Sequence, residues 1–252
     1  MPFNAPPWVK RAALQWLWPV MPGWPDEGRR ILQRPLLQDL LRRATEESRG
    51  FTYVFNAGAG EGGYSPLLLG LPGVQLLLES DYGYTAGLPS RINSKQVFFC
   101  SSLASIPITS GKVNLVLCTE VLEHVREHEQ ALDEVARVLA PGGWLLITVP
   151  TPPAVPDPAH VREGYRFEEL SELLRQRGFE IIERRACMYF FFRFVLANWT
   201  KLPWRLRIFI RTLSTLDRLL PIGPPMDLMI LAKYGAVESS DRRLQASPAV
   251  VR

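Results

Sequence analysis

The chain has 252 residues, of which 47% are hydrophobic, and its formal net charge at pH 7 is only +4. This length accommodates one large α/β domain with additions or two small domains, and the modest charge argues against nucleic acid as a partner. Three cysteines, none in a C-x-x-C pair, argue against a disulfide scaffold or a cysteine zinc site and favour a reduced cytoplasmic setting. We expect neither a cleavable signal peptide nor a transmembrane helix.

The apolar pattern predicts the elements in chain order. Residues 1–50 are rich in Trp and Pro and become helical toward their end. Five apolar runs of strand length follow, TYVFNA, VQLLLE, QVFFC, VNLVLC and WLLITVP, with helix-like segments or loops between them. The segment RFEELSELLRQRGFEII predicts a further helix and strand, and DLMILAKY a last strand. Continuous apolar strands that alternate with helices indicate a parallel sheet covered on both faces.

These patterns set the expected domain boundaries. We expect a helical extension over 1–50 and a main domain over 51–234. Within the main domain, residues 187–225 are a helical insertion or lid. The polar tail, 235–252, is expected to be disordered.

The segment YVFNAGAGEGGYSP joins the first strand to a helix through a cluster of glycines. Gly58, Gly60 and Gly63 fit the G-x-G-x-x-G of dinucleotide sites, whereas Gly62 completes G-x-G-x-G, which is commoner in proteins that bind S-adenosylmethionine. Such a turn lets the backbone approach a ligand closely. An acid about 20 positions later can bind both ribose hydroxyls, and Glu79 stands 21 positions after Gly58. The pattern favours an adenosine cofactor; a turn without a ligand is the alternative.

Beyond the glycines, the chain resembles the class I S-adenosylmethionine-dependent methyltransferases, in particular the type 11 group. The resemblance covers about residues 51–186 and the last strand near 227–234. Its most specific piece is VNLVLCTEVLEHV, which is similar to the family's fourth strand and its E-x-L-E-H turn. The segments EVARVLAPGGWLLITVP, FCSSLASIPI and HVREGYRFEELSELLRQRGFEII are similar to further family segments. A nicotinamide dehydrogenase would share only the glycine turn.

The resemblance implies a fold, a methyl donor and a set of binding residues. The fold is Rossmann-like α/β, a mostly parallel seven-stranded sheet with an antiparallel last strand, and the donor is S-adenosylmethionine. Residues after four successive strands would hold the donor's methionine, ribose and adenine parts. They are Asn56, Ala57, Gly58, Gly60 and Gly62 after the first strand, Glu79 and Ser80 after the second, Ser102 and Leu103 after the third, and Thr119 and Glu120 after the fourth.

Three positions depart from the family pattern. Asn56, Ser102 and Asn114 stand where the family usually has acidic residues. A neutral oxygen binds an ammonium or amino group less strongly than a carboxylate does. A second interpretation therefore stays open, in which the chain is a weak or inactive methyltransferase-fold protein that acts as a binding or scaffold subunit.

Methyl transfer needs a base only if the acceptor must lose a proton. We predict His124 and His160 as catalytic residues because the pKa of histidine lies near neutrality; a purely structural role is an equal alternative for His124. The loop with His160, Arg162 and Tyr165 is a candidate lid or substrate pocket, and His128 is expected to be solvated. No metal ligands are predicted.

No amine-site motif follows the fourth strand, so we favour O- or C-methylation of a small, apolar or lipid-like acceptor.

The insertion at 187–225 is aromatic and basic. One predicted helix face is apolar and another carries arginines, a pattern typical of an in-plane helix at a membrane surface. The apolar stripe comprises Leu206, Phe209, Ile210, Leu213 and Leu220, the arginines are Arg207, Arg211 and Arg218, and the N-terminal Trp8, Trp16, Trp18 and Trp24 could join the same surface. A lid over the active site and a homodimer interface are alternatives. A cytoplasmic protein with a peripheral contact at the inner membrane face is thus one expectation.

Overall fold

The computed structural model describes residues 25–83, 94–154, 157–198 and 206–235. Seven strands lie in this part of the chain: β1 Tyr53–Ala57, β2 Leu76–Asp81, β3 Gln96–Cys100, β4 Val113–Thr119, β5 Leu139–Pro150, β6 Phe179–Cys187 and β7 Asp227–Tyr234. The helices are α1 Pro25–Ser48, α2 Ser65–Leu69, α3 His128–Val138, α4 Phe167–Gln176, α5 Phe190–Ala197 and α6 Arg207–Leu219, with a 3-10 turn at Leu122–His124.

The strands form one sheet in the order β3-β2-β1-β4-β5-β7-β6. Strands β1 to β5 pair in parallel, whereas the last strands are antiparallel. The predicted fold class is confirmed. In the sheet, β2 and β3 lie on one side of β1, and β4 and β5 lie on the other side. The direction in which strands are added therefore reverses between β1 and β4. Ligands of open α/β sheets bind at the carboxyl ends of the strands beside such a reversal.

Two compact units divide the described residues. One contains the chain up to Leu37 and the residues between Ala186 and Asp227, and the other contains Gln38–Arg185 and the chain from Leu228 onward. The N-terminal helix residues and the insertion therefore belong to one unit. In the larger unit, Phe55, Val116 and Ile147 are fully buried or nearly so, as expected for strands covered on both faces.

The smaller unit is held together by close helix packing and a buried acid. A Cβ atom on Gly28 of α1 would lie 2.5 Å from Cε2 of Phe192 in α5 and 2.8 Å from Oγ of Ser214 in α6, so glycine permits the close approach of the three helices. The buried carboxylate of Asp217 accepts hydrogen bonds from the backbone N–H groups of Tyr189, at 2.7 Å, and Phe192, at 3.0 Å. This acid stabilises the first turn of α5.

The predicted apolar stripe of the insertion is mostly turned into this unit. Ile210 is buried, and Leu206, Phe209 and Leu213 are half-buried; only Leu220 is exposed. The described stripe is thus mostly packed within this unit, and the lid, membrane-contact and dimer-interface alternatives stay predictions. The tryptophans near the N-terminus and the tail lie outside the described residues. Among the helices that the structure describes, none is long and apolar enough to cross a membrane.

Candidate active site

A cavity of about 900 Å³ opens at the carboxyl ends of β1, β2, β3 and β4. Every residue on its wall belongs to the larger unit. Seven of the predicted site residues line it, namely Gly58, Gly60, Ser80, Ser102, Leu103, Glu120 and His124. The rest of the wall is formed by Asp81, Tyr82, Gly83, Ser101, Val121, Val125, Arg126, Glu127, Ala159 and Val161.

The glycine turn forms the wall next to β1. Gly58 has φ +69°, and a Cβ atom there would lie 2.1 Å from Cγ2 of Val121. Gly60 has φ +51°, and no atom lies within 4 Å of the position that its Cβ would take. Both positions therefore require glycine, the first for space and both for backbone conformation. The backbone is left bare on the cavity side, as a closely bound ligand would need.

Glu79 lies beneath this turn and is not among the residues on the cavity wall. Its side chain is 1% exposed, and Oε1 accepts hydrogen bonds from Nδ2 of Asn56 at 2.8 Å and from Oγ of Ser65 at 2.6 Å. Oε2 accepts a third hydrogen bond from Nε2 of Gln96. The carboxylate thus joins three strands and α2 below the cavity. The contact of Glu79 with ribose that the resemblance implies stays a prediction.

Asp81 is the carboxylate that the end of β2 presents to the cavity. Its Oδ2 accepts a hydrogen bond from the backbone N–H of Gly60 at 2.9 Å, and Oδ1 accepts one from Gly83 at 3.0 Å. Sequence spacing missed this residue because the apolar run VQLLLE was taken as the whole strand. In the structure β2 continues two residues further, to Asp81.

Two of the three departures from the family pattern make specific hydrogen bonds, and only that of Asn56 depends on the amide group. Asn56 pairs with Glu79 across the parallel β1–β2 register, and its amide donates to that carboxylate. A second acid at 56 would face Glu79 with like charge. Asn114 lies near the start of β4, where its Oδ1 accepts from the backbone N–H groups of Thr52, at 3.1 Å, and Tyr53, at 2.9 Å. Asn114 is therefore at the end of the sheet opposite to the cavity.

The loop after β3 contributes two hydroxyls. Ser102 accepts a hydrogen bond at Oγ from the backbone N–H of Ala104 at 3.2 Å, and Leu103 beside it is buried. Oγ of Ser101 is buried on the same wall and has no hydrogen-bond partner among the described residues. A buried hydroxyl in this position is available to a ligand.

After β4 the chain turns sharply into the cavity wall. Glu120 has the left-handed φ of +54°, and its Oε1 accepts a hydrogen bond from Oγ1 of Thr148 at 2.7 Å. Thr119, the last residue of β4, is half-buried behind it. Thr119, Ala57 and Gly62 support the wall from outside the set of residues that line it.

The 3-10 turn brings His124 to the cavity and next to His160. The two imidazole rings meet edge-to-face with centroids 4.7 Å apart. Nδ1 of His124 lies 3.0 Å from the carbonyl oxygen of Ala159, and Nε2 lies 3.8 Å from Oε1 of Glu123. Both predicted histidines are therefore at one place, although only His124 is on the cavity wall.

Arg162 and Tyr165 anchor the loop that carries His160. Nη2 of Arg162 donates to the carbonyl oxygens of Val125 and Arg126, each at 3.1 Å. The Tyr165 hydroxyl lies 3.0 Å from Nδ1 of His128. His128 is thus half-buried rather than solvated, and burial lowers its pKa from the ordinary value of 6.5. Arg162 and Tyr165 hold the loop in place and do not line the cavity.

Comparison with known proteins supports the class that the fold and cavity define, a Rossmann-like methyltransferase. Residues 55–147 match the family described as methyltransferase domain. A probable S-adenosylmethionine-dependent methyltransferase of Mycolicibacterium smegmatis is 31% identical over 138 residues, which are 51% of this chain and 52% of that protein. A probable S-adenosylmethionine-dependent methyltransferase of Mycobacterium tuberculosis is 29% identical over 136 residues, 50% of this chain and 48% of that protein.

The chain contains a segment that matches a methyltransferase domain, and the predicted resemblance to the class I S-adenosylmethionine-dependent methyltransferases and the predicted methyl donor are confirmed. The chain spans about half the length of the curated relatives that it matches.

Solved structures share the fold at low sequence identity. The N-methyltransferase NodS from Bradyrhizobium japonicum, in complex with S-adenosyl-l-homocysteine, has a TM-score of 0.52 and 16% identity, covering 79% of this chain and 86% of its own. The [4+2]-cyclase SpnF has a TM-score of 0.54 and 18% identity, covering 78% of this chain and 81% of its own. Because one neighbour is named a methyltransferase and the other a cyclase, fold alone does not name the reaction of this chain.

Proposed function

We propose that this chain transfers a methyl group from S-adenosylmethionine to oxygen or carbon of a small, apolar or lipid-like acceptor. The observation that carries the proposal is the cavity itself. A bare glycine turn and an acid at the end of β2 form one part of its wall, and His124 lies on another part. The proposed donor site and a potential proton acceptor therefore line the same open cavity.

Residues of four strand ends would hold the donor. The backbone of Gly58 and Gly60 leaves room for close approach, and Asp81 offers a carboxylate to ribose hydroxyls. Ser101 and Ser102 would bind the adenine part, and Glu120 would lie near the methionine part. When bound, the donor supplies a methyl group that its positive sulfur already activates. The protein then has to position the acceptor and exclude water.

The acceptor side of the proposal is supported by the residues around His124. Val121, Val125 and Val161 are apolar parts of the cavity wall. With the proton of the imidazole on Nδ1, His124 donates to the Ala159 carbonyl, and Nε2 is left able to take a proton. An oxygen or activated carbon acceptor needs such a base.

Calorimetric titration with S-adenosylhomocysteine, with NAD as the parallel control, tests the donor site. We expect one site per chain with a dissociation constant of about 1–100 μM, equivalent to about 5–8 kcal/mol, and no heat with NAD. Heat with NAD alone would point to a nucleotide-dependent dehydrogenase instead. If neither ligand binds, the scaffold interpretation is favoured over catalysis.

We further propose that the smaller unit contacts a membrane surface, which would suit a lipid-like acceptor. Several large apolar side chains of this unit are exposed, among them Phe190 at 54%, Leu219 at 65% and Ile222 at 53%. The backbone N–H of Phe190 donates to the carbonyl of Ile222 at 3.2 Å, so both belong to one patch. Arg211 and Arg218 are exposed on α6. Apolar side chains with nearby arginines favour an anionic lipid surface.

Flotation with vesicles that contain about one-third anionic lipid tests this contact. The protein should float with the vesicles, and Leu219→Asp combined with Ile222→Asp should abolish flotation, because two carboxylates would enter the interface. Thr212→Asp combined with Thr215→Asp, which adds the same two charges at exposed positions of α6, is the matched control and should retain binding. Equal flotation of the Leu219→Asp, Ile222→Asp variant and the control would exclude the patch as the contact.

A further inference from the structure

We propose that Glu123, His124 and His160 form a binding site for a divalent transition-metal ion at the edge of the cavity. Each of the three side chains offers one ligand atom, and these atoms all lie within 4.8 Å of one another. Two imidazole nitrogens and one carboxylate oxygen are a ligand set typical of zinc and of non-haem iron centres. No metal ligands were expected from the sequence, where His160 is remote from the adjacent Glu123 and His124.

The distances are close to those that a bound ion requires. Bonds of about 2.0–2.2 Å to nitrogen and oxygen place two ligands of one ion roughly 3–4 Å apart. Nε2 of His124 and Oε1 of Glu123 are 3.8 Å apart, within that range. The widest separation in the cluster exceeds the range by less than about 1 Å. A small rotation of the side chains would therefore complete the site without a change in the fold.

The surroundings orient the ligands as metal sites do. The carbonyl of Ala159, 3.0 Å from Nδ1 of His124, favours the tautomer that carries its proton on Nδ1 and leaves Nε2 free to ligate. Metal-binding histidines commonly have a second partner of this kind. Glu123 is 1% exposed, and a carboxylate removed from water in this way favours a neighbouring positive charge.

The backbone keeps the two segments of the site together. The N–H of Val161 donates to the carbonyl of Glu123 at 3.0 Å, next to both ligands. Arg162 donates to the carbonyls of Val125 and Arg126, which follow His124. The segment with Glu123 and His124 is thus fastened on two sides to the segment with His160. A site whose ligands are held in place before binding loses less entropy when the ion arrives.

Because His124 lies on the cavity wall, an ion held by these three residues would lie at the edge of the cavity and could bind an acceptor there through any open positions. They fit an acceptor that offers a hydroxyl, and the ion would lower the pKa of that hydroxyl. With Nε2 of His124 bound to the ion, the proton would leave to water instead of to this imidazole. The oxygen would form the new bond to the methyl carbon, and the electron pair of the carbon–sulfur bond would remain on sulfur. This assignment of an oxygen acceptor rests on the proposed methyltransferase function; the metal site itself does not.

Metal titration of the full chain, stripped with EDTA and dialysed, tests the site. Zn²⁺ is followed by calorimetry and Co²⁺ by its visible absorption, which reports the ligand geometry. We expect one ion per chain, and we expect His160→Ala and Glu123→Gln each to weaken binding by about tenfold or more. His128→Ala is the matched control, since it removes the third histidine of the chain from outside the cluster and should leave metal affinity unchanged.

The outcomes separate this inference from the proposed function. Absence of Zn²⁺ and Co²⁺ binding, or equal affinity in His160→Ala and the unaltered chain, overturns the metal site. His160 decides because its side chain is on a loop and only partly buried, whereas Glu123 is in the core and its variant must first be shown to fold. Titration with S-adenosylhomocysteine in the presence of EDTA reports the donor site independently, so either result stands without the other.

Discussion

Replacing Asn56 with Asp should lower the free energy of unfolding at pH 7 by about 3 kcal/mol. Asn56 and Glu79 are each 1% exposed, and the amide of Asn56 donates to the carboxylate of Glu79 at 2.8 Å. The substitution exchanges this donor for a second carboxylate. Ionising both carboxylates in one buried site costs free energy because the like charges repel each other. One of the two pKa values must therefore rise in the folded state. Chemical denaturation at several pH values measures the loss.

The pH dependence of the free energy of unfolding distinguishes charge repulsion from the loss of a hydrogen bond. A carboxyl group whose pKa is raised by folding is more easily kept protonated in the folded state. The variant should therefore be least impaired below the ordinary carboxyl pKa of about 4, and its deficit should grow as the pH rises. Asn56→Ala is the control, because it removes the same hydrogen bond without adding a charge and should cost only about 1–2 kcal/mol with little pH dependence. Identical losses in both variants would mean that repulsion plays no part.

Asp81→Ala should weaken the binding of S-adenosylhomocysteine by about 30-fold, or about 2 kcal/mol. The carboxylate lies on the cavity wall, and it also fixes the glycine turn through the N–H of Gly60 at 2.9 Å. Its removal would cost both a charged acceptor for ribose and the order of the turn. Calorimetry on the folded variant measures the change.

Glu79→Gln is the matched comparison for Asp81. Glu79 is buried under the turn and bonded to Asn56, Ser65 and Gln96, so its neutralisation should lower stability more than ligand affinity. The reverse result, with affinity lost at 79 and kept at 81, would return the ribose contact to Glu79. The pair of variants thus distinguishes the two acids that the sequence offers near the end of β2.

The strands and the glycine turn could be predicted from the sequence because their causes are local. Runs such as LVLC, residues 115–118 of β4, are apolar at every position, which suits a strand covered on both faces. The positive φ of Gly58 and Gly60 could be predicted for a similar reason, because glycine adopts this backbone conformation more readily than other residues do. The family resemblance then supplied the order of the segments.

The parts of the site that escaped prediction depend on contacts between elements. The three hydrogen-bond donors to Glu79 come from β1, α2 and β3, and no local pattern reveals that they converge. Asp81 was missed because its strand is longer than its apolar run. The approach of His160 to His124 depends on how Arg162 fastens one loop to another. A single sequence contains the residues for each contact but not their distances.

Asp217 has a consequence for the way the smaller unit moves. Both of its carboxylate oxygens are occupied by the first-turn N–H groups of α5, although the acid itself belongs to α6. Separating the two helices would break both hydrogen bonds and exchange them for bonds to water, which costs about 1.5–3 kcal/mol for each bond to the charged carboxylate. The hairpin of α5 and α6 therefore opens as a single cooperative block or not at all. We therefore expect the amide hydrogens of Tyr189 and Phe192 to exchange slowly with solvent and at similar rates, because both exchange only when the two helices separate.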